Sequence, residues 1–144
     1  MILKEVGIND LERLVRVGFE GDEGLLKNQQ FDTPMEETIR RNIENVIEAN
    51  GKVKLKFFEV VNVDKVIGFT IVDIGESMLY SFGISAKERT KEVVIMWFIE
   101  LKKVFNGFFY TTLHNNNKRA IEFLKRNGMI IFEQDDFYTK LIYY

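Results

Sequence analysis

The stretch Val93-Val94-Ile95-Met96-Trp97-Phe98-Ile99-Glu100-Leu101 constrains this chain more than any other part of it. Its spacing predicts a helix from about Thr90 to Phe105, apolar on almost every side, and such a helix must be central and heavily covered. The uninterrupted apolar run, Val93 to Ile99, is seven residues, far short of the ~20 that cross a bilayer. The cover must therefore come from the chain itself, and 144 residues suffice for one domain with a real core.

The flanking segments supply that cover in a definite order. Ile2 to Val6 reads as a first strand. Asn9 is placed to cap a helix reaching about Val17, with Glu12 closing a capping box and Leu11, Leu14 and Val15 on one face. Gly18 to Asp32, with three glycines among acidic neighbours, reads as a loop able to approach a ligand. Thr33-Pro34-Met35-Glu36 is a helix start, and Met35, Ile39, Ile43, Val46 and Ile47 recur at helical spacing until Gly51. Val53–Val61 and Lys65–Ile74 form a hairpin signal around Asn62-Val63-Asp64, and Met78–Ile84 follows as a third strand. Gly83 inside it predicts a bulge or a close backbone approach. After the central helix, Asn106-Gly107 is a stop and Phe108–Leu113 a buried-type strand. Asn115 to Asn117 offer caps for a last helix carrying Ala120, Ile121, Phe123 and Leu124 inward. Met129–Phe132 and Phe137–Tyr144 close the chain around Asp135-Asp136. The order β-α-α-β-β-β-α-β-α-β-β spans residues 1–144 as a single domain.

Composition narrows the chemistry. Without Cys, disulfides, thiolate metal sites and a Cys nucleophile are excluded, and one His, His114, excludes a histidine metal cage, so no metal site is expected. A net charge of −2 argues against nucleic acid as a partner. The N-terminus has no basic-flanked apolar core, so no signal peptide and no membrane partner are expected, and the setting is cytoplasmic.

The element order and the segment Asn117 to Met129 together resemble the GNAT (GCN5-related N-acetyltransferase) superfamily. Asn117, Ala120, Gly128 and Met129 match its pattern of Asn, Ala three residues on, and Gly before a large apolar residue. Ser85 to Phe132 more loosely resembles the GNAT-like proteins of tailed phages, including internal virion components, which would place the protein in a host cytoplasm or a virion. The resemblance implies an α/β (α+β) fold: the GNAT acyl-CoA N-acyltransferase fold, a mixed central sheet of about seven strands with helices on both faces. It further implies acetyl-CoA between two splayed parallel strands, Met78–Ile84 and Phe108–His114, with its pyrophosphate at the start of the next helix, where free N–H groups and the dipole favour an anion. By resemblance the cofactor-binding residues are Phe82, Ile84, Arg89, Thr90, Lys91 and Asn117; the backbone N–H near Ile84 polarises the thioester carbonyl.

Two departures stand out. The family's phosphate loop runs Gln or Arg, two residues, Gly, one residue, Gly or Ala; here Arg89 leads, but the small positions carry Glu92 and Val94. A Glu about 4 Å from a phosphate charge costs on the order of 4 kcal/mol at an effective dielectric of about 20. Lys87, Arg89 and Lys91 offset this if they contact the anion; otherwise they are a solvated basic loop. Second, Leu124 stands where many members have the Tyr that protonates the departing thiolate. Tyr80 and Tyr110 are the substitutes for that acid, against a packing role, and Glu76 is the candidate base for the incoming amine, against an exposed turn. Two functions remain open. One is an acetyl-CoA-dependent N-acyltransferase acting on a small-molecule or peptide amine, with the acidic loop at Asp22-Glu23 placed to receive a cationic amine. The other is a catalytically inactive GNAT-fold phage or virion protein acting through a protein partner.

Overall fold

The computed structural model describes residues 1–21 and 35–144. Seven strands form one sheet: β1 (Ile2–Val6), β2 (Lys56–Asn62), β3 (Lys65–Asp73), β4 (Met78–Ile84), β5 (Phe109–His114), β6 (Ile130–Gln134) and β7 (Tyr138–Tyr143), in the order β1-β2-β3-β4-β5-β7-β6. The helices are α1 (Leu11–Gly18), α2 (Met35–Asn50), α3 (Lys91–Phe105) and α4 (Lys118–Arg126). The sheet is mixed because β4 and β5 alone run parallel. Among the described residues no helix is long and apolar enough to cross a membrane.

Two cores line the two faces of the sheet. On one, Val94, Trp97, Phe98 and Leu101 of α3 and Leu124 of α4 pack against Val60, Leu79, Phe109 and Leu141. On the other, Leu14 and Val15 of α1 and Ile39 and Val46 of α2 pack against Phe57, Phe69 and Ile71. Trp97 is fully buried, and its indole N–H donates to the Thr70 hydroxyl at 2.9 Å, so its one polar atom is satisfied. Glu59 is also buried, but Arg13 reaches it at 3.1 Å and Lys4 at 3.8 Å.

The sheet's central register is set by close approaches. A Cβ on Gly68 would lie 2.2 Å from the Gly83 carbonyl oxygen, and one on Gly18 would lie 2.3 Å from the Phe69 ring. Of the two expectations for Gly83, the close approach is the one realised, since the bulge in β4 falls elsewhere. The β2–β3 hairpin turns on Val63 and Asp64, both at positive φ (49° and 61°), as a two-residue turn with both central residues left-handed requires.

Several sequence expectations need correction. Asn9 does not cap α1: residues Ile8–Asp10 form a 3-10 turn, and Asp10 occupies the cap position with its carboxylate on Arg13. Glu12 accordingly pairs with Arg16. Val53 and Lys54 precede β2 as exposed residues, because the chain first turns at Gly51-Lys52 before joining the sheet. Helix α3 is covered on one side only. Ile95, Met96 and Ile99 are exposed because α3 forms the outer layer on its face. Ile47 is likewise 53% exposed, leaving Ile39, Ile43 and Val46 as the inward stripe of α2. The loop expected over Gly18–Asp32 beyond Gly21, and the Thr33-Pro34 helix start, lie outside the described residues.

Candidate functional site

The parallel pair β4–β5 is joined at one register point, Met78 opposite Tyr110. The Tyr110 amide donates to the Ser77 carbonyl at 2.8 Å, and one step on, the carbonyl of Leu79 is met by the Thr111 hydroxyl at 3.0 Å instead of by a backbone amide. A side chain thus replaces the ladder where the strands begin to part. The β3–β4 register slips at the same level: Ile71 pairs Ser81 and Val72 pairs Leu79, which leaves Tyr80 as the bulged residue. A bulge adds local twist and re-aims the strand beyond it, here away from β5.

The parting leaves a cavity of about 250 Å³. Its β4 wall is Tyr80 to Ile84; Leu113 of β5 and Asn117, Ala120 and Phe123 at α4 face it, with Trp97 beneath and Phe19 and Asn42 on the α1–α2 side. Residues from both faces of the sheet contribute, so the cavity runs through the gap from one side to the other. Strand geometry fixes what β4 offers it. The Ser85 amide donates to Ile67 of β3 at 2.8 Å, so by alternation Phe82 and Ile84 turn their amides toward β5 and the gap. Ile84 points its carbonyl the same way, and the Arg89 guanidinium grips it through Nε at 3.2 Å and Nη2 at 2.9 Å.

Two buried side-chain oxygens without a hydrogen-bond partner occur among the described residues, Asn42 Oδ1 and Asn117 Oδ1, and both residues line this cavity. A buried acceptor left unpaired costs roughly 1–3 kcal/mol. Asn117 stands at the cap position of α4 but makes no side-chain cap bond, so the plain capping role does not account for it.

A second hollow of about 450 Å³ adjoins the first, sharing Arg89 and Phe123, and extends between the start of α3 and the end of α4. Thr90 caps α3, its hydroxyl accepting from the Val93 amide at 3.2 Å, while the Val94 amide makes the first helical bond to the Thr90 carbonyl. Three cations, Arg89, Lys91 and Arg126, edge this hollow. Glu92 is exposed and not in its lining, whereas Val94 is buried in its wall. Helical rotation thus turns the Glu92 side chain outward, away from this hollow.

The structure brings together Tyr80, Phe82, Ile84, Arg89 and Asn117 in the first cavity and Arg89, Thr90 and Lys91 in the second. It does not bring Glu76 or Tyr110 to either. Glu76 lies exposed in the β3–β4 turn, its amide donating to Asp73 Oδ1. Tyr110 points to the other side of its strand, edge-on to Phe108 and 5.5 Å from the Phe132 ring, with Lys140 Nζ 4.4 Å from its own centroid. The Tyr80 phenol is 3.5 Å from the Asn45 carbonyl of α2, and burial first, then the nearby Glu48 charge, pushes its pKa up. His114 accepts from the Asn116 amide at 3.1 Å, a local capping role. Sequence reasoning missed Asn42 and Phe19 as lining residues. The signal for Asn42 was present, because a polar residue at 42 interrupts the inward stripe of Ile39, Ile43 and Val46.

No protein-family model and no curated protein matches the chain. Solved structures do. One is PaiA N-acetyltransferase from Thermoplasma acidophilum in complex with coenzyme A, at TM-score 0.71 and 16% identity over 98% of this chain and 96% of that one. An acetyltransferase from Thermus thermophilus gives 0.68 and 16%, over 97% and 94%. A chimera of spermidine N-acetyltransferase SpeG from Vibrio cholerae and hSSAT gives 0.56 and 11%, over 99% and 96%. At these identities the likeness is one of fold, and the fold is that of the GNAT acyltransferases.

Proposed function

We propose that this chain, a GNAT acyltransferase fold, is an N-acyltransferase that takes an acyl group from acetyl-CoA and gives it to an amine. The observation that carries the reading is the parting of β4 from β5 after a single register pair, around a cavity lined by Tyr80–Ile84 of β4 on one side and by Leu113, Asn117, Ala120 and Phe123 on the other. The residues present fit the cofactor. Asn117 Oδ1 is an acceptor suited to a pantetheine amide N–H, and the amides of Phe82 and Ile84 are donors suited to a thioester carbonyl. Lys91, Arg126 and the first free amides of α3 form an anion site for the pyrophosphate, with Arg89 adding its charge while it holds Ile84. This cationic groove takes the place of the glycine cradle, since Val94 fills the space a small residue would leave.

Bound acetyl-CoA supplies an acyl thioester: the amine nitrogen bonds to the acyl carbon, the C–S bond breaks, and the proton nitrogen loses ends on sulfur. Tyr80 is the proton donor this reading assigns, because it is the tyrosine among the residues that line the cavity. Glu76 and Tyr110 have no part in it. The test is amine-dependent thiol release from acetyl-CoA, followed with a thiol reagent; the chain has no Cys and adds no thiol signal of its own. Tyr80→Phe is expected to lower kcat by about 100-fold or more with little change in acetyl-CoA affinity.

One observation favours the second reading, a non-catalytic protein that works through a protein partner. Phe108, Phe132, Phe137, Tyr138 and Tyr144 are exposed on or beside β5, β6 and β7, and exposed aromatic residues that adjoin one another mark protein-binding surfaces. The phage or virion setting belongs to this reading alone. It requires that acetyl-CoA neither bind nor raise Tm.

A further inference from the structure

A helix as apolar as α3 demands cover on almost every side, and the rest of the chain covers only one. We propose that a second copy of this chain covers the other, with the two α3 helices antiparallel about a twofold axis. The inference goes beyond the acyltransferase reading and stands whether or not acetyl-CoA binds. The exposed residues of α3 are Lys91, Glu92, Ile95, Met96, Ile99 and Lys103. Lys91 edges the hollow at the helix start. At 3.6 residues per turn the other five share one stripe, because Glu92 and Lys103 lie about three turns apart with the apolar residues between them. The stripe is acidic at one end, aliphatic in the middle and basic at the other end.

The order of the charges selects the occupant. A twofold axis across the stripe reverses one helix against the other. It sets Met96 of each copy against Ile99 of the other, and Glu92 of each against Lys103 of the other, so both ends meet the opposite charge. A parallel arrangement would instead set Glu92 against Glu92 and Lys103 against Lys103. A foreign partner would have to carry the reversed pattern, which a second copy already carries. Among the described residues Glu92 has no ion pair, and Lys103 has an i,i+3 surface contact to Glu100 at 2.9 Å. A lysine ammonium has three donors, so Lys103 can keep Glu100 and also take Glu92. Three aliphatic side chains per copy make a small apolar centre, which puts the dimer in the class that dissociates on dilution.

The experiment is sedimentation equilibrium of the full chain from about 5 to about 500 μM, where a dimer with a dissociation constant near 100 μM, roughly, is expected. Ile99→Lys is expected to weaken the dimer at least tenfold. Because that side chain is already exposed, the Tm of the dilute monomer should stay within about 3 °C. Glu92→Lys and Lys103→Glu are each expected to weaken the dimer at least threefold alone. An equimolar mixture of the two should recover the wild-type constant within twofold, since each end of the stripe again meets its opposite charge. Phe132→Ser, on the exposed aromatic surface of β6, should leave the dimer unchanged. A chain monomeric to about 500 μM, a dimer that Ile99→Lys leaves intact or that Phe132→Ser dissociates, or a mixture that does not recover overturns the proposal. None of these outcomes bears on acetyl-CoA binding, which the acyltransferase reading stands on.

Discussion

Tyr80 owes its place to a single extra residue in β4. Without the slip between Ile71 and Val72 it would alternate regularly with Leu79 and Ser81; as the bulged residue it reaches both the cavity wall and the Asn45 carbonyl of α2. Its pKa sits above the usual 10.0, burial being the larger cause and Glu48 the smaller. The proton is therefore retained through neutral pH and lost only as pH rises through the raised value. The alkaline limb of kcat is expected above pH 10, and it should vanish in Tyr80→Phe. Two other residues make stability predictions. Val63 is 88% exposed yet left-handed at φ 49°, a conformation that costs a β-branched residue about 1–2 kcal/mol. Val63→Asn is expected to gain about 1 kcal/mol in denaturant unfolding. Gly68→Ala, whose Cβ would collide with a backbone oxygen that cannot swing away, should lose about 3 kcal/mol.

At the scale of elements, the helix starts decide the cofactor end of the site. Helix α3 begins at Thr90 with the first-turn amides of Lys91 and Glu92 uncommitted by the cap bond, and the end of α4 brings Arg126 opposite. If this groove is the pyrophosphate site, Lys91→Glu and Arg126→Glu should each weaken acetyl-CoA at least tenfold, and wild-type affinity should fall as salt rises from 0.05 to about 0.5 M through screening. What could be read from sequence at this scale was periodicity. Ile39, Ile43 and Val46 identified α2's inward face, and the stop at Asn106-Gly107 matched the end of α3. What could not be read was rotation about a helix axis. The outward turn of Glu92 and the placing of Phe123, not Leu124, in the cavity depend on how each helix lies on the sheet. A residue's neighbours in sequence carry no record of that.

For the whole molecule, the order of elements was legible because each β-branched run was bounded by its own turn residues, and the mixed seven-stranded sheet followed from the resemblance that this order and the Asn117–Met129 segment carry. The site was legible only in part. Asn117, Arg89 and Ile84 could be placed by resemblance to a fold whose strands part at a known point. The parting itself arises from Thr111 taking the Leu79 carbonyl and from the bulge at Tyr80, two tertiary facts with no local signature. The central claim is that this parting is a place for acetyl-CoA. Calorimetric titration of the full chain with acetyl-CoA, repeated on Arg89→Glu, tests it most directly. One site per chain with micromolar affinity is expected, weakened at least tenfold by the charge reversal. No heat at millimolar acetyl-CoA, or equal affinity in the two proteins, would contradict it.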